Sequence, residues 1–198
     1  MEKEVWNKIA PEWDRFRTKP FPETVLTLAN KWKPGKILDL GCGNARNLTP
    51  FSEKEFECYG IDFSEDMIEL AKKRLKAEFK VGDILKIPYE DNYFDYIICV
   101  AAFHHVKKED QKKGLQEIRR VLKPGGKLYL TCWNKWQKRF LFSEKEAKIP
   151  WKIKDKTYYR YNYLFNYFEL RRLVKKAEFN IEKISGIVGK NIEIIASN

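Results

Sequence analysis

Long apolar stretches are absent from this chain of 198 residues. No run approaches the roughly 18 apolar residues that a membrane-spanning helix requires. The first residues also lack the basic and then apolar order of a secretory signal, so we expect a cytoplasmic protein with no membrane partner. Because 43% of the residues are apolar and 15% are aromatic, a disordered chain is excluded, and the length fits one domain.

Cysteine and histidine are scarce, with four and two residues respectively. Cys42, Cys58, Cys99 and Cys132 form no CxxC pair, and no histidine lies at ligand spacing from them. We therefore predict no metal site. Three of the cysteines lie in or beside apolar runs, which is typical of buried and unreactive thiols.

Positive charge is unevenly distributed along the chain, whose formal net charge is +11. Basic and acidic residues number 8 and 5 over residues 1–36, 16 and 16 over residues 37–130, and 15 and 7 over residues 131–198. A basic excess that is confined to the two flanks favours a surface that faces an acidic substrate. The alternative is a set of solvated lysines on a chain rich in Lys and Glu, of the kind that hot environments favour.

Short apolar runs alternate with helical periodicity from about residue 36 onward, which is the pattern of stacked βαβ units. This pattern predicts an α/β fold with a doubly wound parallel sheet. The runs are rich in β-branched and aromatic residues and show little alternation, as expected for strands buried on both faces. The predicted strands cover residues 36–40, 58–62, 78–81, 94–100 and 127–132.

Helices are predicted between and after these strands. Ser64 can cap the first of them, residues 115–122 carry the apolar stripe of a second, and residues 170–177 carry that of a third. The final segment predicts two antiparallel strands joined by a short turn, at residues 181–187 and 192–196.

An acidic residue and two glycines follow the first strand. Asp39 lies two residues before the Gly41-Cys42-Gly43 turn, where glycine lets a ligand approach the backbone amides. The turn alone would also fit a dinucleotide site. However, Arg46 stands where the dinucleotide motif has its third glycine, and Asp39 would repel a pyrophosphate. Asp39 would instead attract an ammonium group, such as that of S-adenosylmethionine (SAM).

Acidic residues also end the next two strands. Asp62 follows Gly41 by 21 residues, a spacing at which a carboxylate accepts hydrogen bonds from ribose hydroxyls. Asp83, at the end of the third strand, can accept a hydrogen bond from the adenine amine, with Phe63 and Ile84 beside the ring. One such acid could be a helix cap, but three at successive strand ends favour a SAM site.

Four segments carry a family resemblance, namely residues 38–43 (LDLGCG), 60–67 (GIDFSEDM), 94–98 (FDYII) and 122–128 (LKPGGKL). They resemble the successive motifs of class I SAM-dependent methyltransferases, over roughly residues 36–133. The resemblance implies a doubly wound, seven-stranded, mostly parallel sheet with one antiparallel strand, and SAM as the cofactor, without a metal. The implied cofactor-binding residues are Asp39, Gly41, Cys42, Gly43, Asp62, Phe63, Gly82, Asp83, Ile84 and Val100.

Segments outside this core carry a narrower resemblance. Residues 5–10, 17–22, 101–106 and 160–165 resemble the family that methylates the carboxylate of carboxymethyluridine at the tRNA wobble position. This resemblance implies tRNA as the substrate and a small zinc-binding activator subunit as a partner. A carboxylate is already ionised at pH 7, so its methylation requires alignment and the removal of water rather than a general base.

The candidate catalytic residues are Arg17, Arg160 and His104. Arginine suits a carboxylate or a phosphate because its planar fork matches both groups, and His104 can orient the acceptor. The candidate substrate-binding residues are Lys19, His105, Trp133 and Tyr161. Either histidine could instead be a packed residue that only shapes the pocket, and any single aromatic residue could be a core residue.

The single domain divides into four predicted segments. These are an N-terminal helical lid (1–35), a cofactor-binding core (36–133), a basic and aromatic substrate insertion (134–168), and a C-terminal helix and hairpin (169–198). Between Thr131 and Phe168 the chain holds 12 aromatic residues and 9 basic against 3 acidic residues, so we expect substrate specificity to lie there.

Two other functions are open. The core motifs are shared with methyltransferases of small molecules such as quinones or metabolites, which would show no salt-sensitive RNA binding. An RNA-binding module without enzymatic activity is disfavoured, because the acids and glycines at the strand ends are intact.

Overall fold

A computed structural model describes residues 2–198 as an α/β structure. Its helices are α1 (Glu2–Phe16), α2 (Thr24–Lys31), α3 (Thr49–Ser52), α4 (Glu65–Arg74), α5 (Gln111–Val121) and α6 (Tyr167–Lys176). Its strands are β1 (Lys36–Leu40), β2 (Glu57–Asp62), β3 (Glu78–Val81), β4 (Phe94–Val100), β5 (Leu122–Trp133), β6 (Glu146–Ile153), β7 (Lys156–Tyr163), β8 (Asn180–Ser185) and β9 (Asn191–Ser197). No helix in this range combines the length and the apolar character that a membrane crossing needs.

Seven strands form one sheet in the order β3-β2-β1-β4-β5-β9-β8. The pairings from β3 to β5 are parallel, whereas β9 runs antiparallel to both β5 and β8. The seven-stranded, mostly parallel sheet with one antiparallel strand is therefore confirmed. Strands β2 and β4 lie on opposite sides of β1, so the strand order reverses direction at β1. The carboxyl ends of β1 and β4 flank this switch point, where such sheets bind ligands.

Helices cover both faces of the sheet, as the doubly wound prediction requires. On one face, α5 and α6 bury an apolar stripe that includes Leu115, Ile118 and Leu170. On the other face, α2, α3 and α4 bury residues such as Leu28, Phe51 and Ile68. The central strands β1 and β4 are shielded on both sides, which explains why they are largely continuous apolar runs, whereas the edge strands β3 and β8 are partly exposed.

Three predicted strands, 36–40, 78–81 and 94–100, have the predicted bounds, and the other four differ at their ends, two of them (β2 and β9) by only one residue at an end. β5 begins at Leu122 rather than at residue 127, because Leu122 still pairs with Phe94 before an irregularity in the ladder. β8 ends at Ser185 rather than at residue 187. Gly186 follows it with a φ of +86°, and a Cβ there would lie 1.9 Å from the carbonyl oxygen of Asn191, so the strand cannot continue.

The insertion over residues 134–168 contains a hairpin that we did not predict. β6 and β7 form a separate two-stranded sheet, closed by a short turn at Lys154 and Asp155. Exposed and partly buried residues alternate along β6. Helix α1 packs against one face of this hairpin, and near the end of β7 both faces are covered, because the successive residues Asn162 and Tyr163 are 0% and 1% exposed.

Helix α1 and the hairpin lie together over the carboxyl ends of the strands. Trp6, Ile9 and Ala10 of α1 are buried against Met67 of α4, with Trp151 packed beside them. By contrast, α2 lies in the core on a face of the sheet. Of the segment 1–35, α1 is therefore the part that covers the edge of the sheet where the switch point lies.

Candidate active site

A cavity of about 320 Å³ lies at the carboxyl ends of β1, β2, β3 and β4. The structure brings nine of the ten predicted cofactor-binding residues to its wall: Gly41, Cys42, Gly43, Asp62, Phe63, Gly82, Asp83, Ile84 and Val100. Asp39 is the exception, because its side chain is fully buried and does not line the cavity. Helix α1 closes one side of the cavity with Trp6 and Trp13.

The turn after β1 is fixed by backbone bonds to β2. The amides of Gly41 and Cys42 donate to the carbonyl oxygen of Ile61 at 2.8 and 2.9 Å. Gly41 has a φ of +74°, and a Cβ at this position would lie 2.3 Å from the Cβ of Ala102. Glycine is therefore required here by the backbone conformation and by the close approach of the segment after β4.

Asp62 holds the other end of this turn. Its two carboxylate oxygens accept from the amides of Gly43 at 2.9 Å and Ser64 at 3.0 Å. Burial raises the pKa of Asp62 to about 6, although these amide bonds oppose the rise. Asp62 is therefore mostly ionised at pH 7, and a carboxylate oxygen with one bond can accept a second from a hydroxyl in the cavity.

Asp39 carries an unsatisfied carboxyl group beneath the turn. Neither of its oxygens has a hydrogen-bond partner within residues 2–198. Burial, together with the negative charge of Asp62, raises the pKa of Asp39 to about 8, and the positive charge of Arg46 acts in the opposite direction. The ionised form of such a carboxyl group is stabilised by a nearby positive charge, which an ammonium group in the cavity would add.

The part of the cavity that lies beyond the ends of β2 and β3 is less polar. Phe63 and Ile84 are partly buried, and both line the wall. Asp83 is exposed, and its Oδ1 accepts from the amide of Leu85 at 2.9 Å, so part of its role is to hold the local turn.

The residues present therefore fit SAM. Acidic groups are available for an ammonium group and for hydroxyl donors, and an apolar rim is available for a flat ring. When bound, this cofactor supplies a methyl group on a positively charged sulfur.

His105 lines the cavity, whereas His104 does not. The Nδ1 atom of His105 lies 2.7 Å from the carbonyl oxygen of Tyr161, and its ring meets that of Trp6 edge-on at 5.0 Å. His104 is 1% exposed, stacks on Trp133 at 5.0 Å, and accepts at Nδ1 from the Trp133 amide at 3.4 Å. Burial lowers the pKa of both histidines, to about 4 for His105.

Arg160 is a buried cation beside these rings. It is 4% exposed, and its guanidinium carbon lies 5.5 Å from the ring of Trp6 and 5.1 Å from that of Trp151. Its Nε atom has no hydrogen-bond partner, and no carboxylate within residues 2–198 lies at ion-pair distance. Burial, followed by the charges of Arg17 and Arg139, lowers the pKa of Arg160 to about 10.

The charge of Arg17 thus acts on both Arg46 and Arg160, and that of Arg139 acts on Arg160. We call these residues the arginine cluster: Arg17, Arg46, Arg139 and Arg160. Arg46 lines the cavity, and burial together with the charge of Arg17 lowers its pKa to about 10. Arg17 lies 5.3 Å from the ring of Trp13, and Arg139 lies 4.6 Å from that of Trp133. Like charges held this close favour the binding of an anion.

The remaining predicted residues lie outside the cavity wall. Lys19 is exposed. Tyr161 donates its hydroxyl to Glu146 at 3.0 Å and offers its carbonyl oxygen to His105. Trp133 lies between His104 and Phe140. The structure therefore gathers nine of the ten predicted cofactor residues and His105 in the cavity wall. The predicted residues that lie outside this wall are Asp39, Arg17, Lys19, His104, Trp133, Arg160 and Tyr161.

Sequence reasoning missed several cavity residues. Arg46 was considered only as a departure from a glycine motif, although it lines the cavity. Trp6 and Trp13 were also missed as wall residues. They are seven positions apart on α1, with Ile9 and Ala10 between them, and this helical spacing was the available signal.

The cysteines and the acidic residues form no second site. All four cysteines are free and buried, in agreement with the expected inert thiols. Within residues 2–198, no group of three or more His, Cys, Asp or Glu side chains is arranged to hold a metal ion.

Comparison with known proteins agrees with this geometry. A family model described as "Methyltransferase domain" matches residues 37–126. Among solved structures, the PH0226 protein of Pyrococcus horikoshii superimposes with a TM-score of 0.72 and 26% identity, over 92% of this chain and 89% of that one. A putative methyltransferase of Haloferax volcanii, solved in complex with the Trm112 methyltransferase activator, has a TM-score of 0.73 and 17% identity, over 99% and 95% of the two chains.

Three curated relatives differ in how much of their length is matched. Probable tRNA methyltransferase 9B of Mus musculus is 32% identical over 149 residues, which are 74% of this chain and 32% of that relative. The tRNA (carboxymethyluridine(34)-5-O)-methyltransferase of Arabidopsis thaliana is 32% identical over 134 residues, 65% of this chain and 31% of that relative. Demethylmenaquinone methyltransferase of Staphylococcus saprophyticus is 28% identical over 215 residues, 94% of this chain and 91% of that relative.

The chain thus spans about a third of the length of the tRNA methyltransferases that it matches. The sheet topology, the cavity at its switch point and the matched family model all agree that residues 37–126 form a methyltransferase domain and that the chain has the fold of the SAM-dependent methyltransferases.

Proposed function

We propose that this protein transfers the methyl group of SAM to a carboxylate oxygen on tRNA, that of 5-carboxymethyluridine at the wobble position. The observation that carries the proposal is the buried Arg160. Within residues 2–198 its Nε has no hydrogen-bond partner and no carboxylate lies at ion-pair distance, although the negative charge of Glu2 acts to raise its pKa. A positive charge in this setting is unfavourable until an anion joins it. An anionic acceptor group would provide that partner.

A carboxylate matches the arginine cluster in charge and shape. A guanidinium donates two parallel hydrogen bonds to a carboxylate, and such charge-assisted bonds are stronger than neutral ones. Arg17 and Arg139 add to the positive potential around Arg160, and Arg46 lines the cavity. An acceptor carboxylate would therefore be drawn to the side of the cavity that faces α1 and the hairpin.

The site contains what an ionised acceptor needs. A carboxylate oxygen already carries the electron pair that forms the new bond to the methyl carbon, so no group has to remove a proton. The protein must hold this oxygen about 3 to 3.5 Å from the methyl carbon and exclude water. The aromatic side chains of α1 and β6, including Trp6, Trp13 and Trp151, supply an apolar cover of this kind.

The tRNA part of the proposal is supported by relatives and by charge. Two of the curated relatives are named as tRNA methyltransferases, and one of these names carboxymethyluridine at position 34. The excess of 15 basic over 7 acidic residues after residue 130 suits a polyanionic substrate. We extend these relatives' substrate to the present chain as a proposal.

A quinone or another small molecule is the second candidate acceptor. The demethylmenaquinone methyltransferase is matched over nearly its whole length, unlike the tRNA methyltransferases. This alternative leaves the unpaired positive charge of Arg160 without a partner, and it predicts that RNA neither binds nor accepts the methyl group.

We also propose a zinc-binding activator subunit as a partner. The structural neighbour from Haloferax volcanii was solved with the Trm112 activator. β3 and β8 are the two edges of the sheet and offer unpaired backbone groups to a partner strand. Co-expression that raises solubility or activity would support this partner, and a fully active protein without it would argue against the partner.

The test of the proposed function uses the chemistry of the product. The protein, with its activator, is incubated with methyl-labelled SAM and bulk tRNA from cells that lack this enzyme, and the tRNA is then treated briefly with mild alkali. We expect label in tRNA that alkali releases as methanol, because only an ester is cleaved under these conditions. Alkali-stable label would move the reaction to nitrogen, carbon or a ribose oxygen, and label in a quinone but not in tRNA would favour the second candidate.

A further inference from the structure

An exposed surface beside the arginine cluster combines bare aromatic rings with positive charge. Three segments form it, residues 134–142, 167–172 and 186–190, and we call it the insertion surface. Its large apolar side chains are unusually accessible: Trp136 is 41% exposed, Phe142 is 101% exposed and Phe168 is 56% exposed. Exposed apolar residues that are grouped in this way mark binding sites more often than isolated ones do.

Direct contacts hold the three segments together. Asn134 Nδ2 donates to the carbonyl oxygen of Gly186 at 2.7 Å, and Gln137 Nε2 donates to that of Lys190 at 2.6 Å. The rings of Trp136 and Phe168 meet at 6.0 Å, inclined by 67°. The exposed rings therefore belong to one defined surface rather than to independent loops.

The insertion surface has a net positive charge. It carries six basic residues and one acidic residue, Glu169. This carboxylate accepts from Lys145 at 2.9 Å and from the hydroxyl of Tyr163 at 2.5 Å, so its charge is partly compensated. Phe168, Arg171 and Arg172 are spaced three and four residues apart on α6, and all three are exposed. The basic residues are Lys135, Lys138, Arg139, Arg171, Arg172 and Lys190.

The insertion surface also borders the candidate active site. Arg139 lies over the ring of Trp133, and Trp133 stacks on His104. The ring of His104 lies 4.5 Å from that of His105, which lines the cavity. Packed rings therefore connect Arg139 on the insertion surface to His105 in the cavity wall.

We propose that the insertion surface binds unpaired nucleotides of an RNA substrate. Proteins that bind single-stranded RNA stack its bases on exposed aromatic rings and pair its phosphates with arginine and lysine. The exposed rings and the six basic residues meet both requirements, and their single sign of charge favours a polyanion over a protein partner. The proposal rests on the proposed function, because tRNA is the RNA that it would hold.

The test measures RNA binding without catalysis. Fluorescence anisotropy follows a labelled anticodon stem-loop RNA as it is titrated with the wild-type protein and with the double variant Phe142→Ala/Phe168→Ala. Stacking on an aromatic ring typically contributes about five- to a hundred-fold to affinity per base, so we expect binding to weaken by at least tenfold. The matched control is Leu26→Ala on α2, a residue that is 42% exposed and belongs to none of the three segments of the insertion surface, and we expect no change.

A second variant tests the pairing with phosphates. Arg171→Ala/Arg172→Ala should weaken binding and also reduce the dependence of log affinity on log salt, by about one for each phosphate that the variant no longer binds. Lys31→Ala, at an exposed lysine that ends α2, is the control for the removal of a surface charge. Thermal unfolding of each variant verifies that it remains folded.

The outcomes separate this proposal from the proposed function. If the wild-type protein binds the RNA and both double variants bind it equally tightly, the insertion surface is not the binding site, whereas alkali-labile label in tRNA would still support the function. If the variants bind RNA normally but lose a protein partner, the surface is a protein interface and the proposal is wrong. Weakened RNA binding in both double variants and in neither control supports it.

Discussion

The Nδ1 atom of His105 lies 2.7 Å from the carbonyl oxygen of Tyr161. Because a carbonyl oxygen only accepts, Nδ1 must carry the proton, and Nε2 is left with a lone pair. Burial lowers the pKa of His105 to about 4, so this neutral form persists at pH 7. His105 therefore presents a hydrogen-bond acceptor to the cavity, suited to a donor on the substrate rather than to the acceptor carboxylate.

The pH dependence of methyl transfer should reflect this neutral histidine. At saturating SAM, we expect the single-turnover rate to show no ionisation near the usual histidine pKa of about 6.5. Stability should respond differently. The unfolded chain gains protons on its histidine below about pH 6.5 and the folded chain does not until about pH 4, so the free energy of unfolding should fall as the pH falls through this interval. A rate profile with an acid limb near pH 6.5 would contradict the assigned state.

Binding of SAM should release a proton from Asp39. With a pKa of about 8, the carboxyl group of Asp39 is mostly protonated at pH 7 in the free protein, and a nearby ammonium group would favour its ionised form. Calorimetric titrations in buffers with different ionisation enthalpies should therefore give different heats and report the release of most of one proton. The Asp39→Asn variant should remove this buffer dependence. Equal heats for the wild-type protein in all buffers would refute the coupling.

Replacing Asp62 should weaken the binding of the cofactor more than it slows the methyl transfer itself. Asp62→Ala removes the acceptor for the amides of Gly43 and Ser64 as well as the group assigned to the ribose hydroxyls. We expect the affinity for S-adenosylhomocysteine to fall by about tenfold or more, in line with the loss of charged hydrogen bonds. Asp66→Ala, at an exposed acid in the first turn of α4, is the matched control. Unchanged affinity in Asp62→Ala, measured by calorimetry, would exclude the ribose role.

Replacing Arg160 with an apolar residue should raise the stability of the protein and lower its activity. Arg160→Met keeps much of the volume between Trp6 and Trp151 but removes a buried charge that has no carboxylate partner. We expect methyl transfer to fall at least tenfold, with unchanged affinity for SAM, and the free energy of unfolding to rise by about 1 kcal/mol. Arg160→Lys keeps the charge without the planar fork and should retain part of the activity.

The readouts for Arg160 are independent of one another. Single-turnover rates, calorimetry with SAM and denaturant unfolding measure the three quantities separately. If Arg160→Met loses cofactor binding, or if it is less stable while keeping its activity, then Arg160 supports the fold and not the acceptor.

The parallel core could be predicted from the sequence because its signals are local. Strands β1, β3 and β4 are short apolar runs with turn residues at their ends, and Ser64 caps α4 as expected, with its Oγ accepting from the amide of Met67 at 3.2 Å. The acids at the strand ends also converge, because parallel strands bring their carboxyl ends to one edge of the sheet.

The substrate side could not be predicted in the same way. β6 and β7 pack one face on α1, which is more than 120 positions away in the sequence, so no local pattern of the insertion shows what covers it. The burial of Arg160 depends on Trp6 and Trp151, which come from α1 and β6. The position of Arg46 depends on the path of the chain after the glycine turn. The glycine motif alone shows only that Arg46 departs from the dinucleotide-binding pattern.

Acceptor assays on tRNA before and after mild alkali would test the central claim most directly. Under the proposed function, the wobble carboxylate is already esterified in tRNA from cells that contain the enzyme, and alkali regenerates it. The account predicts that alkali-treated tRNA takes up label from methyl-labelled SAM and that untreated tRNA takes up little. Equal uptake by both preparations, or none by either while SAM binds, would contradict methylation of a tRNA carboxylate by this protein.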